Sequence, residues 1–379
     1  MNLCVEAPCV LCVESRPSNS PGFEFLPVIP VLNPNLVKSK AHEIGFDLCG
    51  VAPAAAFDEL GALAGWLARG YAGGMTWMAR TAEQRADVRR VLPSARSVIA
   101  TGSVYNTDRP YGTHRQAPGE AAVSRYAWGD DYHDVIGRRL AALVAWMRAE
   151  SDEPFDARPY VDTGPVQERA FAQHAGIGWI GKNTCLINPD LGSWLFLGVI
   201  LTSLPLEPDA AAVDQCGSCR LCLEACPTGA LVEPRVLDSR RCISYLTIEE
   251  RGAIDPALLD GLGSHVYGCD VCQEVCPWNE HPAVSGAPEW QPRPGLDRRS
   301  LAELWRLSDA ELRALVRGGP MTRAKVAGLR RNLAVAIGNA EGAVPADLLD
   351  AGDRPDPDRP SLGDPAVASA VQWARRRLR

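Results

Sequence analysis

Nothing in this sequence is apolar for long enough to cross a bilayer. A spanning helix needs ~20 consecutive apolar residues. The longest clear run, 194–201, has the length of a buried strand. The N-terminus has no charged start followed by an apolar core and no twin arginine, so no export signal and a cytoplasmic location are expected. An excess of positive charge is missing too: 39 Lys and Arg face 46 Asp and Glu, a net charge of −7. That excludes a chain coating nucleic acid with its whole surface, although an average hides any local basic face. No firm internal repeat is present. A disulfide framework is not expected of a cytosolic chain, so its 13 cysteines point to metal.

What remains is a soluble, globular composition: 379 residues, 46% hydrophobic and 22% charged. That length suits one large domain or two to three smaller ones. Residues 1–34 carry Cys4, Cys9, Cys12 and repeated prolines, and read as a disordered leader or an extension of the gene. From 35 to 205, helical stretches near 37–44, 57–69, 135–147 and 166–174 alternate with strand-like runs near 97–104, 159–161 and 194–201. Such alternation predicts an α/β domain with a largely central sheet. Residues 206–290 hold the cysteine clusters. Residues 291–379 read as helical over 301–307, 309–316 and 325–337, with a Pro/Asp-rich break at 353–358.

Cys216-x2-Cys219-x2-Cys222-x3-Cys226-Pro227 matches the bacterial ferredoxin run in every position. Three thiolates of such a run grip one [4Fe–4S] cluster from a tight loop, and the fourth ligates the other cluster. The second run, Cys269-x2-Cys272-x3-Cys276-Pro277, is short of its first ligand, because Val266 stands there. Cys242 is the only cysteine left inside the module to replace it. The cross-over rule then groups Cys216, Cys219, Cys222 and Cys276 on one cluster. Cys226, Cys242, Cys269 and Cys272 fall on the other. Zinc sites use two ligand pairs, not a three-plus-one run followed by proline. Cys49 and Cys185 lie outside the pattern and read as small apolar core residues.

Other motifs carry less. The G-x-G-x-x-G at 176–181 has a helix-like stretch before it and a strand-like one after it, the reverse of a dinucleotide site. Asp162-Thr163-Gly164 has no second copy, so no aspartic protease is expected. Asp162 ends an apolar run, where sheets place their chemistry, but a helix N-cap reads equally well from the residues alone. His133 reads as a cap or surface residue rather than a metal ligand.

Several segments together resemble the epoxyqueuosine reductase family. They are 73–78 (GGMTWM), 124–133 (SRYAWGDDYH), 161–165 (VDTGP), 176–183 (GIGWIGKN), 241–249 (RCISYLTIE), 267–272 (YGCDVC) and 331–336 (RNLAVA). The resemblance runs from about 36 to the C-terminus. It implies reduction of the epoxide of epoxyqueuosine at the tRNA wobble base, giving queuosine. It implies cobalamin plus two [4Fe–4S] clusters, on an α/β (α+β) cobalamin-binding domain with an inserted ferredoxin-like module and a HEAT-like helical C-terminus. Reductive dehalogenases share that cofactor set and are the rival reading; a plain ferredoxin-type carrier is a second.

By this resemblance Asp162 is the proton donor. Cobalamin contacts fall at Arg85, Arg125, Asp162, Asn183, Ser193, Ser244 and the turn Gly268, Cys269, Asp270, Val271. To donate near neutral pH, Asp162 needs a raised pKa. The expected partners are tRNA and an external reductant of the flavodoxin or ferredoxin kind, with no membrane and a monomeric chain. Arg293, Arg298, Arg299, Arg306, Arg313, Arg317, Arg323, Lys325, Arg330 and Arg331 outnumber the acids around them, and the tail adds Arg375, Arg376, Arg377 and Arg379. With the resemblance, this region is expected to contact tRNA phosphates.

Overall fold

Four strands form the central sheet: β1 (Leu48–Pro53), β2 (Ser97–Val104), β3 (Ala157–Tyr160) and β4 (Leu195–Thr202). Their spatial order is β1-β2-β4-β3 and every neighbouring pair is antiparallel. The architecture is therefore α+β. The computed structural model describes residues 32–115, 117–296, 299–340, 342–345, 347–350 and 356–379. Cys4, Cys9, Cys12, Asp297, Arg298 and the start of the Pro/Asp-rich break lie outside the described residues.

Every residue of β2 is buried, so both faces of the sheet are covered. The pleat sends alternate side chains to opposite faces. Val51, Ile99 and Ile200 join one core with α1 (Pro34–Ile44) and α3 (Tyr132–Glu150). Ala52, Val98, Ala100, Val199 and Leu201 join another with α2 (Asp58–Ala68) and α4 (Glu168–His174). Each fully buried Val or Ile contributes about 1.5–3 kcal/mol. The α3 layer sits directly on β4 at Gly198. A Cβ there would meet Ile136 Cγ2 and Leu140 Cδ1, each at 2.9 Å. Any larger residue would lift the helix away.

Local chemistry sets the element ends. Asn33 Oδ1 accepts from Leu36 N at 3.1 Å, Pro34 takes the first helical position, and Gly45 at φ 105 closes α1. The helix expected from 166 starts at Glu168 instead, so Asp162 does not cap it. Asp162 lies just past the edge strand β3 with φ 56, a left-handed conformation that costs a non-glycine residue roughly 1–3 kcal/mol.

A further core joins the cysteine module to the C-terminal helices α5 (Leu301–Arg306), α6 (Asp309–Val316), α7 (Lys325–Gly338) and α8 (Pro365–Leu378). Ile243, Leu246 and Val266 pack there with Leu301, Trp305 and Leu333. Asn332, fully buried, donates to Thr247 O at 2.8 Å and Val266 O at 2.9 Å. Arg331 donates to Glu250 O at 2.9 Å and Gly252 O at 2.7 Å. Arg330 pairs with Asp309 at 3.2 Å and donates to Trp305 O at 2.6 Å. Both arginines are almost wholly buried. They brace the fold, and neither has a guanidinium to offer tRNA, which corrects the expectation for these two positions.

Candidate active site and metal centres

Asp131, His133 and Asp162 form a short chain. Asp131 Oδ1 caps α3 by accepting from His133 N at 3.0 Å, and lies 2.7 Å from His133 Nδ1. His133 Nε2 faces Asp162 Oδ2 at 3.5 Å, and Tyr132 OH donates to the same oxygen at 2.9 Å. Asp162 N in turn donates to Glu168 Oε1 at 2.7 Å, which holds the left-handed turn. Tyr132 stacks between the His133 ring and Phe196. Water reaches 64% of the Asp162 side chain, although burial acts strongly on its charge.

The electrostatics differ from the sequence expectation. Burial works to raise the Asp162 carboxyl, but hydrogen bonds from His133 and Tyr132 and the charges of His133 and Arg169 outweigh it and hold the carboxyl below its usual range. Burial also works against a charged His133, yet Asp131 and Asp162 overcome it and lift the imidazole from 6.5 to about 9. The proton at neutral pH therefore rests on His133, not on Asp162. His133 is part of this chain of polar contacts, not a cap or an isolated surface residue. Burial, helped by the charge of Asp162, pushes Glu168 up to about 8.

The cysteine thiols sort into two groups by their influence on one another. Cys222 is raised by burial and then by Cys219 and Cys216, and Cys276, also buried, feels Cys216 and Cys222. Cys242 feels Cys226; Cys269 feels Cys242 and Cys226; Cys272 feels Cys269 and Cys242. The donor set suits thiolates. Ala230 N donates to Cys226 Sγ at 3.2 Å and Trp179 Nε1 to Cys216 Sγ at 3.5 Å. Backbone N–H groups of Tyr245, Val271 and Trp278 aim at Cys242, Cys269 and Cys276. Such bonds to sulfur tune cluster potentials. Among the described residues, no three His, Cys, Asp or Glu converge on one point as around a single ion. A cubane differs, because its thiolates sit on separate corners. Val266 is buried in a short strand, His265–Tyr267, away from any ligand role.

Of the two remaining cysteines, Cys49 is a half-buried core thiol pushed up to about 12 by burial. Cys185 is half-buried, and its thiol lies beside Cys272 rather than in an apolar core.

The expected cobalamin contacts fall into two groups. Asn183 donates to Cys272 O at 3.1 Å, and Ser193 to Gln273 Oε1 at 2.9 Å. Arg125 N and Ser124 Oγ both donate to Asp270. Gly268 has φ 69, and a Cβ there would stand 2.4 Å from Ser124 Cβ. A cavity of about 140 Å³ opens along Ser124, Asp270 and Val271. Burial raises Asp270 to about 6. In the other group, Arg85 is buried beside Asp162 and Glu168. Ser244 follows Cys242 and supports its sulfur. Arg169, which feels Asp162 and donates to Thr184 O, links the two groups. Arg125 is caged by the rings of Tyr111, Trp128 and Trp194 and spends its terminal nitrogens on Thr107, Arg109 and Pro110; its Nε has no partner among the described residues.

The basic C-terminal region reaches the rim. Asp131 N donates to Gly318 O at 3.0 Å, and Arg323 pairs with Glu249, lies over the Trp77 ring and feels the charge of Asp162. Arg306, Arg313, Arg317, Arg323 and Lys325 are exposed. Arg375 and Arg377 are tied to Asp350 and Asp260.

Comparison with known proteins agrees with this layout. A family model described as a 4Fe-4S double cluster binding domain matches residues 215–279. A second, described as epoxyqueuosine reductase QueG, DUF1730, matches 85–163. An epoxyqueuosine reductase of Gloeobacter violaceus is 46% identical over 80% of this chain and 95% of its own length. That of Pseudomonas aeruginosa is 40% identical over 90% of this chain and 93% of its own. The crystal structure of an epoxyqueuosine reductase with a tRNA-Tyr epoxyqueuosine-modified stem loop aligns at TM-score 0.80 and 31% identity, covering 91% of this chain and 89% of that one. The enzyme from Streptococcus thermophilus aligns at TM-score 0.76 and 26% identity, over 90% and 88%. This chain belongs to the epoxyqueuosine reductase family.

Proposed function

We propose that this chain reduces epoxyqueuosine in tRNA to queuosine, with two [4Fe–4S] clusters feeding electrons to a bound cobalamin. The observation that carries the reading is the link between the thiol groups and Asp162: the charge of Arg169 reaches both Asp162 and Cys185, and Cys185 lies beside Cys272. Cys216, Cys219, Cys222 and Cys276 hold one cluster, and Cys226, Cys242, Cys269 and Cys272 the other. The second is the one linked to Asp162, because Cys272 lies beside Cys185 and Asn183.

The residues present fit a corrin. Its rim carries carboxamides, and the chain offers Asn183, Ser193, Ser244, Arg85 and the backbone of the turn at Gly268–Val271, with the orphaned Arg125 Nε behind. Cobalamin supplies a strongly reducing, nucleophilic metal centre when bound. The chain's own residues do the rest. Glu168 and Arg85 position Asp162, Tyr132 OH orients its Oδ2, and Asp162 delivers a proton to the oxygen released from the epoxide. Arg306, Arg313, Arg317 and Lys325 hold the anticodon stem through phosphates. The reductant is a small external one-electron carrier, and the chain acts as a monomer.

Nucleoside mass analysis tests this. tRNA from a strain lacking the gene accumulates epoxyqueuosine, and the purified, cobalamin-loaded chain converts it under reducing conditions. Unchanged queuosine in the deletion strain would reject the reading.

A further inference from the structure

Converting an epoxide to an alkene expels its oxygen as water. That takes two electrons and two protons, and both protons end on the same oxygen. One carboxyl holds one proton at most, and Asp162 is held ionised at neutral pH by its neighbours. The site needs a second proton store within reach of Asp162 and a route to solvent.

We propose that His133 is that store: its imidazolium Nε2 passes a proton to Asp162 Oδ2 as Asp162 protonates the departing oxygen, and water recharges His133 for the second transfer. The inference rests on the functional reading above. Its geometry is independent of it. Asp131 Oδ1 grips Nδ1 at 2.7 Å and leaves Nε2 pointing at Asp162 Oδ2, 3.5 Å away. Catalytic contacts of this kind are often long before substrate binds. The ring is stacked on Tyr132 at an inclination of 29°, with centroids 4.1 Å apart, and Tyr132 is itself stacked on Phe196 at 4.6 Å. The His133 side chain is 33% exposed, which gives the route to water.

The charge balance supports the direction. The start of α3 disfavours a cation on His133, since helix N-termini carry positive partial charge. Two carboxylates, Asp131 and Asp162, outweigh that and burial. Around Asp162 stand Arg169 and Glu168 of α4, Arg85 from the segment between β1 and β2, Arg323 from the C-terminal region and the Tyr126 and Tyr132 hydroxyls. The three arginines keep Asp162 ready to release its proton, and Asp131 keeps His133 ready to refill it. Atoms and charge balance: each transfer moves one proton from Nε2 to Oδ2 and one from the carboxyl to the substrate oxygen. The electrons come from the bound metal centres.

The test uses the full chain and two readouts. In the cluster-loaded chain without cobalamin, the His133 imidazole followed by NMR titrates near 9. Asp162→Asn and Asp131→Asn each lower that midpoint by roughly a unit or more. Asn caps a helix as well as Asp, so Asp131→Asn keeps α3 intact while removing the charge. In the loaded enzyme, His133→Gln lowers turnover on the order of 10²-fold and removes the alkaline limb of the pH–rate profile, with cluster absorbance and stem-loop binding retained. If His133→Gln fails to fold, Asp131→Asn carries the same comparison, moving the alkaline limb to lower pH. A native midpoint at or below 6.5, or a variant profile that matches the native one, overturns the relay. A native chain with no turnover of epoxyqueuosine overturns the functional reading instead.

Discussion

At Asp162 the fold accepts local strain where the chemistry is. Its left-handed backbone is held by one hydrogen bond to Glu168, and its carboxylate is held by Tyr132 and His133. Glycine would relax the backbone at no steric cost. Asp162→Gly should therefore unfold at a higher temperature than Asp162→Ala, by an amount matching about 1 kcal/mol, while both lose turnover at least ~10²-fold. Calorimetry and single-turnover assays read the two effects separately. The sequence singled out Asp162 but placed the proton on it. The reason is visible only in space: His133 is remote from Asp162 along the chain, and nothing in either segment states that they meet. The signal available was Asp131 two residues before His133, a spacing that orients an imidazole as well as capping a helix. Cys242 shows the opposite case. Ligand arithmetic alone named it, and it lies with Cys226 and Cys269. Cys242→Ala should leave the group around Cys216 intact, so iron per chain falls toward half and one cluster signal survives in EPR of the reduced protein.

Among the elements, the long periodic ones were legible and the short ones were not. Runs such as 97–104 and 194–201 became β2 and β4 because their apolar residues suit a strand buried on both faces. The turns Val271–Glu274 and Leu221–Glu224 are too short for periodicity to speak. The sign of pairing was also hidden, since local pattern does not say that all four sheet strands run antiparallel. Helix α7 was found, but its polar residues were misread. A run of Arg330, Arg331 and Asn332 reads as a charged surface, yet the helix is buried all round and turns these groups onto backbone carbonyls. Asn332→Ala would strand Thr247 O and Val266 O without donors. The expected loss is about 2–3 kcal/mol, measured by denaturant unfolding of the metal-free chain.

For the whole molecule, charge sets the working conditions. His133 has a folded pKa raised from 6.5 to about 9, so the stability it contributes is complete below 6.5 and lost as pH rises through 9. Glu168 is raised from 4.5 to about 8, so the folded chain keeps a proton that the unfolded chain releases, and stability falls across that span. Both act in the same direction between 6.5 and 8. The melting temperature should drop over that window, and drop less in Glu168→Gln. The basic rim acts on the partner. Arg313→Ala and Lys325→Ala should each weaken stem-loop binding and make the dependence on salt less steep by about one ion, as phosphate contacts do. The acidic average, −7, is no obstacle, because Arg306, Arg313, Arg317, Arg323 and Lys325 are exposed together in one segment.

The clasp between α7 and the cysteine module also bears on the timing of assembly. Cys216 through Cys276 all leave the ribosome before residue 325 is made. A nascent chain at that point carries every cysteine of the module, but not Arg331 or Asn332, which fasten Leu246, Thr247, Glu250, Gly252 and Val266 around Cys242 and Cys269. The loops around Cys242 and Cys269 are thus fastened only once α7, which begins at residue 325 of 379, has been made.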